Sequence, residues 1–274
     1  RAALIGSDRC PVSRSTSPRP PRPNRRRQRG ASSSRIRRKL FSEINHITEV
    51  LKKTNDNIGR AADRLKMHHA TLWRKIATEL GLDPVFIPGD WRHGVDPTEV
   101  EKRLAEDTAH SIKAVCVVHN ETSTGVTSHI PLIRQAIDAA RHPALFMVDT
   151  ISSLASIDYR HDEWQVDVTV GASQKGLMLP PGLSFTAVSD RALTAHRDAM
   201  LPRSFWDWSA MLAANANGVF PYTPATNLLY GLLEACDMLM EEGMENVFAR
   251  HKRHADATRL AVEAWGLEIL AKNP

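Results

Sequence analysis

Short apolar runs alternate with segments of helical period across the second half of this chain. AVCVV (Ala114 to Val118), ALFMVD (Ala144 to Asp149), VDVTV (Val166 to Val170) and the segment Ser184 to Ser189 are each too brief for a helix core, and turn formers bound them. Such runs read as buried strands. Between the first two, PLIRQAIDAARH places Leu132, Ile133, Ala136, Ile137 and Ala140 on one face of a helix. Strand, helix and strand in that order predict a parallel sheet and the α/β class. Two further helices announce their starts. Asp96-Pro97-Thr98-Glu99 is a capping-box pattern with Pro at the first helical position, continued by Val100 and Leu104. Thr223-Pro224 predicts an N-cap at Thr223, a buried stripe of Leu228, Leu232, Ala235 and Leu239, and a stop at Gly243.

The first 82 residues follow another pattern. From Arg9 to Lys39 the chain is Arg, Ser and Pro with almost nothing to bury, so disorder is expected over residues 1–40. A nucleic-acid arm, an Arg-rich transit peptide and a translated stretch without a selected role all fit this composition. Residues 41–82 recover a helical period, with Ile44, Ile47, Val50 and Leu51 and then Ile58, Ala61, Ala62 and Leu65 on apolar faces. The stretch HHATLWRKIATELGL resembles the helix-turn-helix of Fis-type regulators, which would turn His69, Thr71, Arg74 and Lys75 toward DNA. A solvated basic face is the plainer reading of the same residues.

Charge divides the chain at the same place. Of 36 basic residues 13 lie in the first 40, against one of the 31 acids, which leaves 23 basic and 30 acidic residues in the remainder. The basicity belongs to the head, and the globular part is acidic. Three scattered cysteines, Cys10, Cys116 and Cys236, offer no metal-ligand spacing and suit a reduced, cytoplasmic compartment. No apolar run approaches the roughly 18 residues of a membrane span. The sequence opens on Arg1 rather than Met and stops at Pro274, as a fragment would.

Polar residues gather where parallel sheets bind ligands, at the carboxyl ends of strands. The first strand runs into HNETSTG, the second ends in Asp149, and the third leads to GASQKGLMLPPG with Lys175 at its centre. A lysine among residues too small to shield it is either a solvated loop lysine or an amine able to form a Schiff base with an aldehyde. Asp149 and Ser123 have bland versions too, as a loop cap and a turn former. Three strand ends converging on one place argue for a site.

The strings GLDPVFIPGDWRHGVDP, VVHNETSTGVTS, VDTISSL, GASQKGLMLPPG, PYTPATNLLYGL and EEGMENVFARHKRHADATRLAVEAWGLEIL resemble, in order and spacing, the class V aminotransferases of pyridoxal-phosphate fold type I. Within that group they are most similar to serine–glyoxylate and alanine–glyoxylate aminotransferases. The resemblance runs from about Thr71 to Leu270 and claims TLWRKIATELGL as an entry helix. It implies a three-layer α/β/α large domain over residues 83–245, incomplete here, and the start of a small C-terminal domain over 246–274. It also implies pyridoxal 5'-phosphate as cofactor, amino acid and 2-oxo acid substrates, and a homodimer with a shared active site.

By the same resemblance Lys175 is the Schiff-base lysine and then the base that moves the α-proton. Asp149 keeps the pyridine nitrogen protonated, and Ile151 packs on one ring face. Ser123 lies near the phenolic oxygen, Gln174 near the phosphate, and Thr223 reaches the neighbouring subunit's cofactor. The family's aromatic hydroxyl three residues before that threonine is replaced by Phe220, with Tyr222 a possible substitute. Its phosphate loop, the aromatic on the second ring face and the substrate-carboxylate arginine have no counterpart in the sequence. Weak cofactor binding and little transaminase activity are therefore expected of this polypeptide alone. Trp206 and Trp208 are expected to pack, and His251 and His254 to lie on a solvated helix face.

Overall fold

The computed structural model describes residues 2–6, 49–50, 53, 64–65, 81–201 and 203–272. The basic stretch Arg9 to Lys39 and nearly all of the helical segment 41–82, including its helix-turn-helix-like part, lie outside the described residues. By contacts the chain divides into Arg1–Gly6 with Val85–Pro274, and Ser7–Pro84. The first of these units carries the candidate site.

Its sheet has six strands: β1 (Ala2–Gly6), β2 (Asp83–Ile87), β3 (Ile112–Val118), β4 (Leu145–Asp149), β5 (Val168–Ala172) and β6 (Ser184–Val188), in the spatial order β2-β1-β3-β4-β5-β6. The centre is parallel. Val118 of β3 is level with Asp149 of β4, and Asp149 with Val170 of β5, so three strands end at nearly one height. β1 and β6 run antiparallel to their inner neighbours. For β6 the reason is visible in the connection from β5, Ser173 to Leu183, which holds no crossover helix to carry the chain back. The sheet is therefore parallel in the middle and antiparallel beside β5, where the sequence pattern alone extended the parallel order.

Two helices cover one face. In α1 (Pro97–Glu106) the Asp96 carboxylate accepts from Thr98 N–H at 2.8 Å and Pro97 stands at the start, a cap worth about 1 kcal/mol. Val100 and Leu104 are its buried pair. α2 (Ile130–Ala139) buries Ile130, Ile133, Ala136 and Ile137 against Val115, Val117, Phe146 and Val148. Each such side chain contributes about 2 kcal/mol through burial. Leu132, assigned to this face by the sequence period, is instead 44% exposed. The rest of the stripe holds, with Ile130 and Arg134 buried beside it. Arg134 reaches Asp138 at 2.5 Å and sits over the Phe146 ring at 6.0 Å, while its Nε and Nη1 have no hydrogen-bond partner among the described residues.

After β6 come α3 (Asp190–Asp198), capped by Ser189, and α4 (Trp208–Asn215), capped by Asp207. Trp208 packs on His196 with ring centroids 5.2 Å apart, but Trp206 is 73% exposed, contrary to its expected burial. α5 (Thr226–Glu242) and α6 (Met244–Ala264) meet at Gly243, whose φ of 81° supplies the predicted stop. Arg250 grips Glu242 across that corner with bonds of 2.7 and 2.9 Å. α5 begins two residues later than its sequence signature. Ala225 is its N-cap, and the Thr223 side chain caps nothing, because Thr226 N–H turns back to the Pro224 carbonyl at 3.0 Å and closes a tight turn first.

Candidate active site

The turn after β3 is a small hairpin. Asn120 bridges to Thr127, Glu121 N–H donates to Val126 O at 2.9 Å, and Gly125, with φ of 74°, returns its N–H to Glu121 O at 2.8 Å. A left-handed residue is required there, which glycine adopts without a steric cost. At the tip, Ser123 donates both its backbone N–H (3.1 Å) and its hydroxyl (2.6 Å) to Glu121 Oε1. Thr122 bonds the Ser152 hydroxyl, tying this turn to the one that follows β4.

Asp149 closes β4. Its Oδ1 accepts from Ile151 N–H at 2.8 Å, and its Oδ2 takes no hydrogen bond among the described residues. Burial raises the Asp149 carboxyl above the ordinary range; the Ile151 bond pulls it back, and the charge of Glu121 adds to the rise. Behind the carboxylate the chain coils tightly, with Ser153 and Leu154 N–H both on Thr150 O. His119 braces this coil: its N–H donates to Asp149 O at 2.9 Å, and its Nδ1 meets Ser153 Oγ at 2.9 Å. The His119 ring is 3% exposed beside Tyr159 and Trp164, and burial lowers its pKa to about 4, so it stays neutral.

Lys175 lies in the turn after β5. Buried Ser173 holds both ends of that loop: its hydroxyl donates to Pro180 O at 2.8 Å and accepts from Leu183 N–H at 3.2 Å, and its carbonyl accepts from Leu179 N–H at 3.1 Å. The lysine turn itself is closed by Met178 N–H on Lys175 O, with Met178 at φ 62°. Gly176 seats it on the β4 turn, since a Cβ there would lie 2.2 Å from Leu154 O and 2.6 Å from Ser156 Oγ. On its other side the loop meets α5, where a Cβ on Gly231 would lie 2.9 Å from Leu179. Lys175 is exposed, and its amine has no ion-pair or hydrogen-bond partner among the described residues.

Adjacent parallel strands thus carry Asp149, Ile151, Gln174 and Lys175 at their carboxyl ends, and the tied β3 turn brings Ser123 beside them. Thr223 is not brought in. It lies exposed ahead of α5 and makes no hydrogen bond to the other five among the described residues. Glu121, His119 and Ser173 were not foreseen as parts of the site. Glu121 stood in the motif HNETSTG and had only its charge to mark it; the other two act through backbone partners that no local pattern displays.

The arrangement suits a small molecule with an aldehyde, a basic ring nitrogen and anionic oxygens. Its chemistry comprises an accessible amine, a half-buried carboxylate with one oxygen unbonded among the described residues, a hydroxyl and an exposed amide. Among the described residues no group of three His, Cys, Asp or Glu side chains is placed to hold a metal ion.

Comparison with known proteins follows the same line. The family model for aminotransferase class-V matches residues 44–270. The chain is 51% identical over 208 residues to a serine–glyoxylate aminotransferase of Methylorubrum extorquens, covering 74% of this chain and 52% of the relative. It is 46% identical over 202 residues to an L-aspartate–glyoxylate aminotransferase of Paracoccus denitrificans, covering 74% and 51%. Among solved structures, alanine–glyoxylate aminotransferase from Nostoc superposes with a TM-score of 0.65 at 27% identity, over 73% of this chain and 52% of that one. The chain spans about half the length of the curated relatives it matches.

Proposed function

Because the chain belongs to the class-V aminotransferase family, we propose that it forms the cofactor-holding part of a pyridoxal 5'-phosphate-dependent transaminase that moves an amino group from serine or alanine to glyoxylate. The observation that carries this reading is the Lys175 amine, without a partner among the described residues, on the strand end next to a half-buried, half-bonded Asp149. Relatives named for glyoxylate as acceptor support it, and they differ in the donor their names give.

When bound, the cofactor supplies an aldehyde that condenses with amines and a ring that takes up the electrons left when an α-proton departs. The residues of this chain do the rest. Lys175 is the amine that would hold the cofactor's aldehyde, and once free its Nζ would serve as the base for the substrate's α-proton. Asp149 holds a proton at the ring nitrogen through Oδ2. Burial and the charge of Glu121 raise the proton affinity of this carboxyl, and a protonated ring nitrogen beside it would favour its ionised form. Ile151 covers one ring face, Ser123 stands at the phenolic oxygen, and Gln174 stands toward the phosphate.

Thr223 serves a neighbouring subunit. A homodimer is supported by the exposed aromatic residues that precede that threonine, Phe205, Trp206, Phe220 and Tyr222, which are 54, 73, 50 and 45% exposed. Among the described residues no helix is long and apolar enough to cross a membrane, and Cys116 and Cys236 are free thiols. The free thiols suit a cytoplasmic setting.

Borohydride reduction with excess pyridoxal phosphate tests the reading. A stable adduct is expected on the peptide that contains Lys175 and should vanish in Lys175→Ala. Labelling spread over other lysines, unchanged by that substitution, would sink it.

A further inference from the structure

The proton of the Ser153 hydroxyl has two acceptors within reach. Thr150 O, 3.4 Å away, already takes the N–H groups of Ser153 and Leu154 at 3.0 and 2.8 Å, and a carbonyl offers two lone pairs. His119 Nδ1 lies at 2.9 Å, and burial keeps its ring neutral. The proton therefore goes to Nδ1, and His119 carries its own on Nε2. His119 and Ser153 are 3 and 0% exposed, so water does not compete for this bond. It pins one part of the coil after β4. Thr150 pins another, since its N–H and its hydroxyl both reach Val170 O of β5, at 2.8 and 3.0 Å. Between these anchors stands Ile151, whose N–H meets the Asp149 carboxylate at 2.8 Å. Past Ser153 the same coil presents Leu154 O and Ser156 Oγ to Gly176, next to Lys175.

We infer that His119 is a positioning residue: by accepting the Ser153 proton it fixes one coil that orients the Asp149 carboxylate on one side and seats the Lys175 turn on the other. Its imidazole bonds to neither of those side chains among the described residues and acts through Ser153. Tyr159 and Trp164 confine the ring, with centroids 5.4 and 6.2 Å from its own. The consequence for chemistry rests on the reading above, in which Asp149 and Lys175 meet one cofactor. The hold on the coil does not.

The test compares the parent chain with Ser153→Ala, His119→Phe, His119→Asn and the double variant of Ser153→Ala with His119→Phe, first without cofactor. Nitrogen NMR of the parent at neutral pH should find His119 protonated on Nε2 alone, and a proton on Nδ1 would overturn the proposal. Amide exchange at Ile151 should quicken about tenfold in Ser153→Ala and in His119→Phe, and no further in the double variant. In His119→Asn it should stay near the parent rate, because the asparagine oxygen takes the place of Nδ1 as acceptor. A packing role would rank the variants the other way, since Asn leaves the larger hole beside Tyr159 and Trp164. That order, or additive effects in the double variant, refutes the coupling. With pyridoxal phosphate and borohydride, the limiting rate of adduct formation at Lys175 should fall about tenfold in Ser153→Ala, at a half-saturating concentration within about twofold of the parent. An unchanged limiting rate beside a quickened Ile151 amide would show that the coil does not govern the amine and would overturn the proposal. A parent chain that forms no adduct at Lys175 refutes the proposed function instead, and the nitrogen and exchange data still judge His119.

Discussion

Replacing Gly176 by alanine asks whether the lysine turn is seated on the β4 turn without spare room. The new methyl would lie 2.2 Å from Leu154 O and 2.8 Å from the carbonyl carbon of Ala155, where ordinary contact begins at 3.4 Å. Both are backbone atoms, and Ala155 already sits at φ 58°, so no rotamer change relieves the clash. The two turns must part by about 1 Å, an overpacking that costs about 1–3 kcal/mol. In a domain of this size that lowers the thermal midpoint by about 3–10 °C. The same displacement moves Lys175 off its line to the ring and should slow borohydride-trapped adduct formation by about a hundredfold. Gly89 supplies the control, because a Cβ there meets nothing within 4 Å. Gly89→Ala should stay within about 0.5 kcal/mol of the parent. Thermal unfolding and adduct yield, measured on both variants, decide the matter: if Gly176→Ala melts and traps like the parent, the close seating is wrong.

Two other substitutions probe the framework of the site. Met178 is exposed at φ 62°, so Met178→Asn, which tolerates that backbone, should raise the urea midpoint by about 0.5 kcal/mol at an unchanged slope; a lower midpoint would contradict it. His119 has its pKa lowered from 6.5 to about 4, so the native chain binds fewer protons than the unfolded chain between those values. Its contribution is complete above pH 6.5 and is lost as pH falls toward 4, by up to about 3 kcal/mol. Urea unfolding at pH 7 and pH 4.5 should show His119→Phe losing less stability on acidification than the parent, and parallel losses would count against the buried neutral imidazole.

Elements defined by short-range rules could be read directly from the residues. Asp96 with Pro97 began α1 where the pattern placed it, Gly243 ended α5, and Asp149 and Lys175 fell at strand ends because a four- or five-residue Val-rich run leaves little doubt about where the chain must turn. Errors arose where two local rules competed. Thr223-Pro224 is a good helix opening, but the same proline also favours a tight turn, and the turn closed first. On α2 the stripe kept Ile133, Ala136 and Ile137 and lost its edge position Leu132, because the period fixes spacing and not which edge of the face meets the sheet. Trp206 was assigned to packing by its size, and size says nothing of what lies opposite. Glu121, His119 and Ser173 were hidden for a third reason. His119 acts through Asp149 O and Ser153, a geometry that exists only after β3 and β4 are aligned, whereas Glu121 and Ser173 act within their own turns through bonds that residue identity alone does not display.

The grip of Ser173 on its loop also bears on the order in which the chain assembles. Its hydroxyl joins residues only ten apart, with Leu183 as the far partner, whereas the strands it serves are held by contacts of wider separation. Loop-closure entropy grows with the logarithm of loop length, so this small ring costs less to close than the pairing of β4 with β5. The hairpin of β5 and β6 with its serine clasp is therefore an early local unit, in which the amine is already in its turn when the strand bearing Asp149 arrives beside it.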